Sequence, residues 1–570
     1  MDTITFLLFQ RRADLHRNSS DELQLAHKVL VIGLDGATWR VINQLISQGE
    51  LPTLQRIIAN GSSGTLTTIV PPLTPPAWVS SVTGVNPGKH NIYDFISHSN
   101  YKSSFVNATN MRAEPIWRIL SRAGLRYVVI NVPVTFPPDR NDNGVMISGM
   151  DAPSEKYQYT YPDSVKKKLD AIGYRIDCGG PTNFQGNSKR YLDVVLDTID
   201  RRERVALDLM RSVSWDFFMV VETASDRVQH FYWKYFDTTY PNYDSSFRSR
   251  ELDIIPVVYQ RLDTMLDRLI STNDGNVNVF IISDHGFGPR TTDVYINNYL
   301  ITSDFLSMKK VKVRSGFRRV ILNVASIPIK LKIPLDFLIR FAPPSVINPF
   351  LLGGRFSLED VDWSATKAIF LSYTGRSFLV NLKGREPQGI VDQKDYDRVR
   401  DDIILNIKNL TDPATGRKVV RSVYKKEEIC KGNFVNNAPD LVLEMEDGYC
   451  AKDGLGNTIF TSPKAVLLSE TGDHQPEGII LAYGPDVAQG RKIENASILD
   501  IVPTVLCLMN RPLPDYLDGK VLSDTLNETF RNSGKIIYEK NISEKDRIRS
   551  ALAGLRSSAF GGKLGDGDKG

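Results

Sequence analysis

The chain has 570 residues, 41% hydrophobic and 24% charged, a globular composition too long for one compact core. Its formal net charge of +4 is small for this length, so composition gives no case for nucleic-acid binding. The four cysteines, Cys178, Cys430, Cys450 and Cys507, contain no C-x-x-C pair, which argues against a disulfide framework or a cysteine zinc site.

Residues 1–27 read as a polar N-terminal extension. Its TFLLF run is too short for a signal segment or a membrane span, and no other stretch approaches a span free of charge. The expectation is a cytoplasmic protein.

From Lys28 the pattern becomes strand, turn and helix. KVLVIGL is a continuous apolar run, as in a buried parallel strand, and it ends in Asp35-Gly36 before the helical periodicity of WRVINQLISQ. Similar runs follow at YVVINVPV (127–134), DFFMVVE (216–222), VNVFIIS (277–283) and GIILAYG (478–484), with a helical pattern over 250–270. The alternation predicts an α/β fold, an open and mostly parallel sheet sandwiched by helices. The core then occupies 28–300 and 466–525, interrupted by polar, irregular residues 151–215 and by a cap at 301–465, with a tail at 526–570.

Two stretches stand out locally. In TPPAWVSSVTG (74–84) Thr74 reads either as a helix N-cap, with Pro75 in the first helical position, or as a nucleophile at the helix mouth. The amides beyond the prolines would then point toward a bound phosphate. The segment 309–340 carries nine basic residues (Lys309, Lys310, Lys312, Arg314, Arg318, Arg319, Lys330, Lys332, Arg340) against Asp336 alone. It reads as the solvated face of a cap or, more sharply, as a peripheral membrane contact or anionic-substrate gate.

Three of the seven histidines lie in acidic settings at the ends of predicted elements: Asp226 with His230, Asp284-His285 and Asp473-His474. Asp35 ends the first core strand in the same way. Singly these are turn residues, a surface pair or a loop histidine. In an open parallel sheet the strand ends share one crevice, so together they supply six donors for a two-metal site, with Thr74 as a seventh.

The segments VIGLDG, TPPAWVSSVTGVNPGKHNIYDF, ETASDRVQHFYW, IISDHGFG and GDHQPEGII, in this order, resemble the alkaline phosphatase superfamily, most closely its type I phosphodiesterase/nucleotide pyrophosphatase branch. The resemblance runs from residue 31 to about 520 and implies an alkaline-phosphatase-like fold with cap insertions. It implies a metal-dependent phosphodiesterase or pyrophosphatase with two divalent ions, usually zinc, sometimes manganese. One ion would be held by Asp35, Thr74, Asp284 and His285, the other by Asp226, His230 and His474. Thr74 would be the nucleophile and pass through a phospho-threonine intermediate. Substrates would be phosphate esters, small molecules or lipids.

Thr74, Pro76 and Trp78 stand where sulfatases of the superfamily carry Cys or Ser, Pro and Arg, which argues against a formylglycine sulfatase. Phe95 stands where nucleotide pyrophosphatases carry an asparagine that supports a phosphate oxygen. Lys89, His90, Asn91 and Arg227 are the candidate phosphate contacts. Alternative readings are a phosphomonoesterase or phosphomutase with the same site, and a non-catalytic membrane-surface protein using the basic segment. Oligomeric state is left open.

Overall fold

A strand that is apolar at every position must bury both of its faces, and the run Lys28–Leu34 (β1) does so at the centre of a sheet. Leu30, Ile32 and Leu34 join the apolar cluster on one side, and Val29 and Val31 join the cluster on the other. The computed structural model describes residues 27–184, 187–241, 243, 253–273, 275–309, 358–371, 376–456, 458–462, 469–533, 536 and 538–539.

The strands that matter for the site are β2 (Ser62–Thr67), β3 (Tyr127–Ile130), β4 (Gly144–Ile147), β5 (Thr160–Tyr161), β6 (Phe217–Glu222), β7 (Val277–Ile282), β8 (Gly286–Tyr295), β9 (Gly472–Gln475), β10 (Glu477–Tyr483) and β11 (Arg491–Ser497). Eight of them join β1 in one nine-stranded sheet, in the order β11-β2-β10-β7-β1-β6-β3-β4-β5. β1 lies parallel to both β6 and β7, and β3 lies parallel to β4 and β6. β10 runs antiparallel to β7 and β2. One edge of the sheet therefore collects the ends of β1, β2, β6 and β7 together with the beginning of β10. That edge is the crevice where open α/β sheets bind ligands.

Helices cover both faces: α1 (Trp39–Ser47), α2 (Pro52–Asn60), α3 (Thr74–Thr83), α4 (Ser188–Ser212), α5 (Ala224–Phe236), α6 (Ile254–Ser271) and α7 (Ile501–Leu508). α3 and α7 pack on one face and α1, α4, α5 and α6 on the other. Gly33 is required where α3 crosses β1, since a Cβ there would lie 2.3 Å from Cη2 of Trp78.

The stretch 151–215 is not the irregular excursion expected. It contains the helix Asp163–Ala171 and the 25-residue α4, which buries Tyr191, Val195, Ile199, Ala206 and Leu209 in the main core. The dense charge of SKRYLDVVLDTIDRRERVALDLMRS hides this period, because a charged residue, Arg202, also occupies the buried face. Arg202 and Glu222 form an ion pair with side chains 0% and 1% exposed. The guanidinium also donates to the Ile176 carbonyl at 2.7 Å, and Glu222 accepts from the amides of Thr223 and Ala224 at the mouth of α5.

The region 301–465 carries an apolar cluster of its own. Its antiparallel sheet has the order Ala368–Phe370, Ser377–Val380, Leu441–Met445, Val420–Lys425, backed by the helix Tyr396–Lys408. Residues 1–26 of the N-terminal extension, the basic segment 310–340 and the tail beyond 539 lie outside the described residues. No described helix is long and apolar enough to cross a membrane.

Removing one partner of a buried ion pair strands the other charge. Arg202→Met should therefore cost about 3–5 kcal/mol of stability by urea denaturation, and the double variant Arg202→Met/Glu222→Leu should recover part of that loss. A loss below about 1 kcal/mol for the single variant would show that the pair does not anchor α4 to the sheet.

Candidate active site

Each predicted site residue follows a strand end at the shared edge or precedes β10. Asp35 follows β1, and Gly36 (φ +66°) turns the chain so that its amide donates to Asp284 Oδ1 at 3.1 Å. Asp226 and His230 lie one turn apart on α5, with His230 Nε2 3.3 Å from Asp226 Oδ1. Asp284 and His285 occupy the turn between β7 and β8. His474 sits on β9, paired across from Phe287 of β8.

Thr74 is the first residue of α3, with Leu73 as N-cap and no side-chain capping bond. The N-cap expectation is corrected here by one position. Pro75 and Pro76 take the next two places and have no N–H to offer, while the Ala77 amide already donates to the Leu73 carbonyl. The expected amides beyond the prolines are thus not all available to an anion, and the Thr74 hydroxyl is not used as a cap. Thr74 Oγ1 lies instead 3.3 Å from His285 Nε2.

The three histidines share one arrangement. The Nδ1 atoms of His230, His285 and His474 face the carbonyls of Gly472, Gly286 and Pro72 at 3.3, 3.0 and 3.0 Å. A carbonyl only accepts, so each Nδ1 carries a proton and each Nε2 faces the site, as a lone pair when the ring is neutral and as a second donor when it is charged. His474 Nε2 lies 3.0 Å from His230 Nε2 and 3.2 Å from Asp226 Oδ1. Two ring nitrogens facing each other at that distance need a proton or a metal cation between them. Holding Nδ1 by a carbonyl to leave Nε2 free is how proteins orient metal-binding imidazoles.

The carboxylates make the same demand. Asp35, Asp226 and Asp284 are all buried, and among the described residues Asp35 Oδ1, Asp226 Oδ1 and Asp284 Oδ2 have no hydrogen-bond partner. Burial, then the charges of Asp284 and Asp226, push the Asp35 carboxyl well above its usual range. Burial and Asp226 push Asp284 the same way. Burial also raises Asp226, but His230 and His474 outweigh it and hold that carboxyl well below. Burial and the neighbouring His474 keep His285 neutral, by depressing its pKa.

Donor atoms of Asp226, His230 and His474 lie within 4.8 Å of one another, as do those of Asp35, Asp226 and His285. Asp284 Oδ2 is 3.4 Å from His285 Nε2. This set of buried and half-buried imidazoles and unpartnered carboxylate oxygens fits divalent cations at two adjoining positions, with Asp226 common to both.

The four candidate phosphate contacts separate. Lys89 Nζ donates to the Tyr516 carbonyl and to Asp518. His90 is fully buried, within 2.9 Å of Ser80 Oγ, and burial lowers its pKa to about 3. Asn91 donates to the Asn110 carbonyl and accepts from Asn437, tying the core to the cap. Only Arg227 borders the cluster, its Nη1 3.7 Å from Asp226 Oδ2.

Other supporting residues are ones that sequence reading does not single out for these roles. Trp78 Nε1 donates to Asp35 Oδ2 at 3.0 Å, and Gln229 donates to the Gly36 carbonyl while accepting from Tyr259. Arg376 of the cap donates to Asp473 at 2.8 Å, whose other oxygen accepts the His474 amide. Trp78, at helical distance from Thr74, carried a local signal. The Arg376–Asp473 contact spans 97 positions and carried none.

The family model for type I phosphodiesterase / nucleotide pyrophosphatase matches residues 29–475, and the chain belongs to that family. It is a phosphoric ester hydrolase. No curated protein matches the sequence. Among solved structures it is similar to phosphonoacetate hydrolase from Sinorhizobium meliloti 1021, in complex with phosphonoformate, at 14% identity and TM-score 0.54, covering 85% of this chain and 96% of that one. The same hydrolase with phosphonoacetate gives a TM-score of 0.53 at 14% identity and the same coverage. Murine ectonucleotide pyrophosphatase / phosphodiesterase 5, inactive and in complex with AMP, gives 0.49 at 15% identity, covering 88% of this chain and 100% of that one. The likeness to the phosphonoacetate hydrolase is one of fold, an alkaline-phosphatase-like sheet flanked by helices.

Trp78→Phe keeps most of the ring over Gly33 but removes the donor to Asp35. Zinc affinity, measured by chelator competition, should fall about 10–100-fold. Unchanged affinity would show that the indole N–H does not orient Asp35.

Proposed function

We propose that the chain is a phosphodiester or pyrophosphate hydrolase that uses Thr74 as nucleophile beside two divalent cations, zinc being the best match to the donor set. The observation that carries this reading is the position of Thr74 Oγ1, 3.3 Å from His285 Nε2 at the edge of a cluster of three imidazoles and three buried carboxylates. Asp35, Thr74, Asp284 and His285 would hold one cation, and Asp226, His230 and His474 the other. Cations so bound would lower the pKa of the threonine hydroxyl and neutralise the phosphoryl oxygens.

The residues of the chain do the rest. Burial of Thr74 and its seat at the start of α3 restrict the hydroxyl to one approach, so little orientational freedom remains to be lost at attack. Thr74 Oγ attacks phosphorus, the bond to the leaving ester oxygen breaks, and the threonine proton ends on the leaving alcohol. Water then hydrolyses the phospho-threonine and restores the hydroxyl. Trp78, Gln229 and the three carbonyls facing the histidine Nδ1 atoms keep the donors from rearranging as charge moves, which supports a preorganised site. Trp78 is fully buried and its N–H is spent on Asp35, so it does not contribute the charge an arginine would in a sulfatase.

Thr74→Ala should lower turnover of bis(4-nitrophenyl) phosphate by at least about 10³-fold while leaving the thermal midpoint and metal content near wild type. Acid-quenched wild-type enzyme should yield a phosphorylated peptide that maps to Thr74. Near-normal turnover by the variant, or a phosphate mapped to another residue, would overturn the role given to Thr74.

A further inference from the structure

Arg227 is the residue after Asp226 on α5, and its guanidinium is held from one side. Nε lies 3.2 Å from both oxygens of Asp177, and Nη2 donates to Oδ2 at 2.8 Å. Asp177 is fixed in turn by the Thr223 hydroxyl at 3.2 Å. Together they make a fork in which two nitrogens are committed and the planar group is locked. The third nitrogen, Nη1, lies 3.7 Å from Asp226 Oδ2 and makes no hydrogen bond among the described residues. The side chain is 22% exposed, so the guanidinium lies at the margin of the cluster and is not sealed in the core.

Compensation of Asp226 does not account for this arrangement. Asp226 is already flanked by His230 and His474, and the charge of Arg227 is already matched by Asp177. What the Asp177 fork adds is direction: it aims one N–H along the border of the cluster. Lys89, His90 and Asn91 have polar atoms engaged elsewhere, and Phe95 offers no polar group. A guanidinium donor in that place favours a substrate with a second negative charge beside the one that a simple diester carries.

We propose that Arg227, positioned by Asp177, is the specificity element of this site. Its Nη1 takes a phosphate oxygen that carries a second negative charge next to the reacting phosphorus. The inference rests on the phosphoester-hydrolase reading of the cluster. Two sources supply that charge: the neighbouring phosphate of a diphosphate linkage, or the extra oxygen of a phosphomonoester. The diphosphate linkage agrees with the function proposed above.

The test compares wild type, Arg227→Met, Arg227→Lys and Asp177→Asn, each zinc-loaded and checked for an unchanged thermal midpoint. Three substrates are used: bis(4-nitrophenyl) phosphate with one charge, 4-nitrophenyl phosphate, and a symmetrical dinucleoside diphosphate. Arg227→Met should reduce kcat/KM for a doubly charged substrate at least about tenfold more than for bis(4-nitrophenyl) phosphate. Whichever doubly charged substrate suffers that selective loss identifies the source. Asp177→Asn should shift the same ratio in the same direction, and Arg227→Lys should restore part of it. A merely structural role would lower all three substrates together, so equal losses, or none, would overturn the proposal. Calorimetric binding of inorganic phosphate supplies a reading independent of turnover, and Arg227→Met should weaken it about tenfold. If wild type hydrolyses no ester at all, the hydrolase reading fails, and unchanged phosphate binding in Arg227→Met would separately dismiss the clamp.

Discussion

Three carboxylates, Asp35, Asp226 and Asp284, are crowded at one edge of a sheet where each is buried and, among the described residues, one oxygen of each lacks a hydrogen-bond partner. Like charges that close, away from water, cannot all ionise without a compensating cation. The histidine arrangement completes the donor set for such a cation, because His230, His285 and His474 each spend Nδ1 on a backbone carbonyl and turn Nε2 toward the carboxylates. Much of the surrounding architecture can be understood as what holds these six side chains in place. Arg202–Glu222 anchors the mouth of α5, Trp78 holds Asp35, and Asp473 holds His474 with help from the cap.

The sheet topology is the reason so few residues suffice. β1, β2, β6 and β7 run in the same direction, and β10 runs against them, so four strand ends and one strand beginning meet at a single edge. Asp35 is the first residue after β1, and the three-residue turn between β7 and β8 delivers Asp284 and His285. Family membership and this geometry agree on phosphoric ester hydrolysis. The cap, with its own apolar cluster, reaches the site through Arg376 and through Asn437 on Asn91. That gives a physical route by which cap residues can bias the positions of site residues.

The strands were legible because a fully buried strand is apolar at every position, and the acidic and histidine residues were legible because they sit where such runs stop. α4 was not, since Arg202 on its buried face broke the expected pattern and a charge-rich helix reads as loop. The start of α3 was legible to within one residue, but the consequence of that residue was not: moving Thr74 from cap to first helical position frees its hydroxyl. Lys89, His90 and Asn91 lay beside the right motif. Their directions are set by Asp518, Ser80 and Asn437, partners that local spacing does not reveal. Asp177 was likewise invisible, because it meets Arg227 across 50 positions.

Anomalous diffraction from crystals grown with zinc tests most directly whether two cations sit at adjoining positions in this cluster. Two peaks are predicted, one bounded by Asp226, His230 and His474 and the other by Asp35, Thr74, Asp284 and His285. A single peak, no peak, or zinc bound away from these side chains would contradict it.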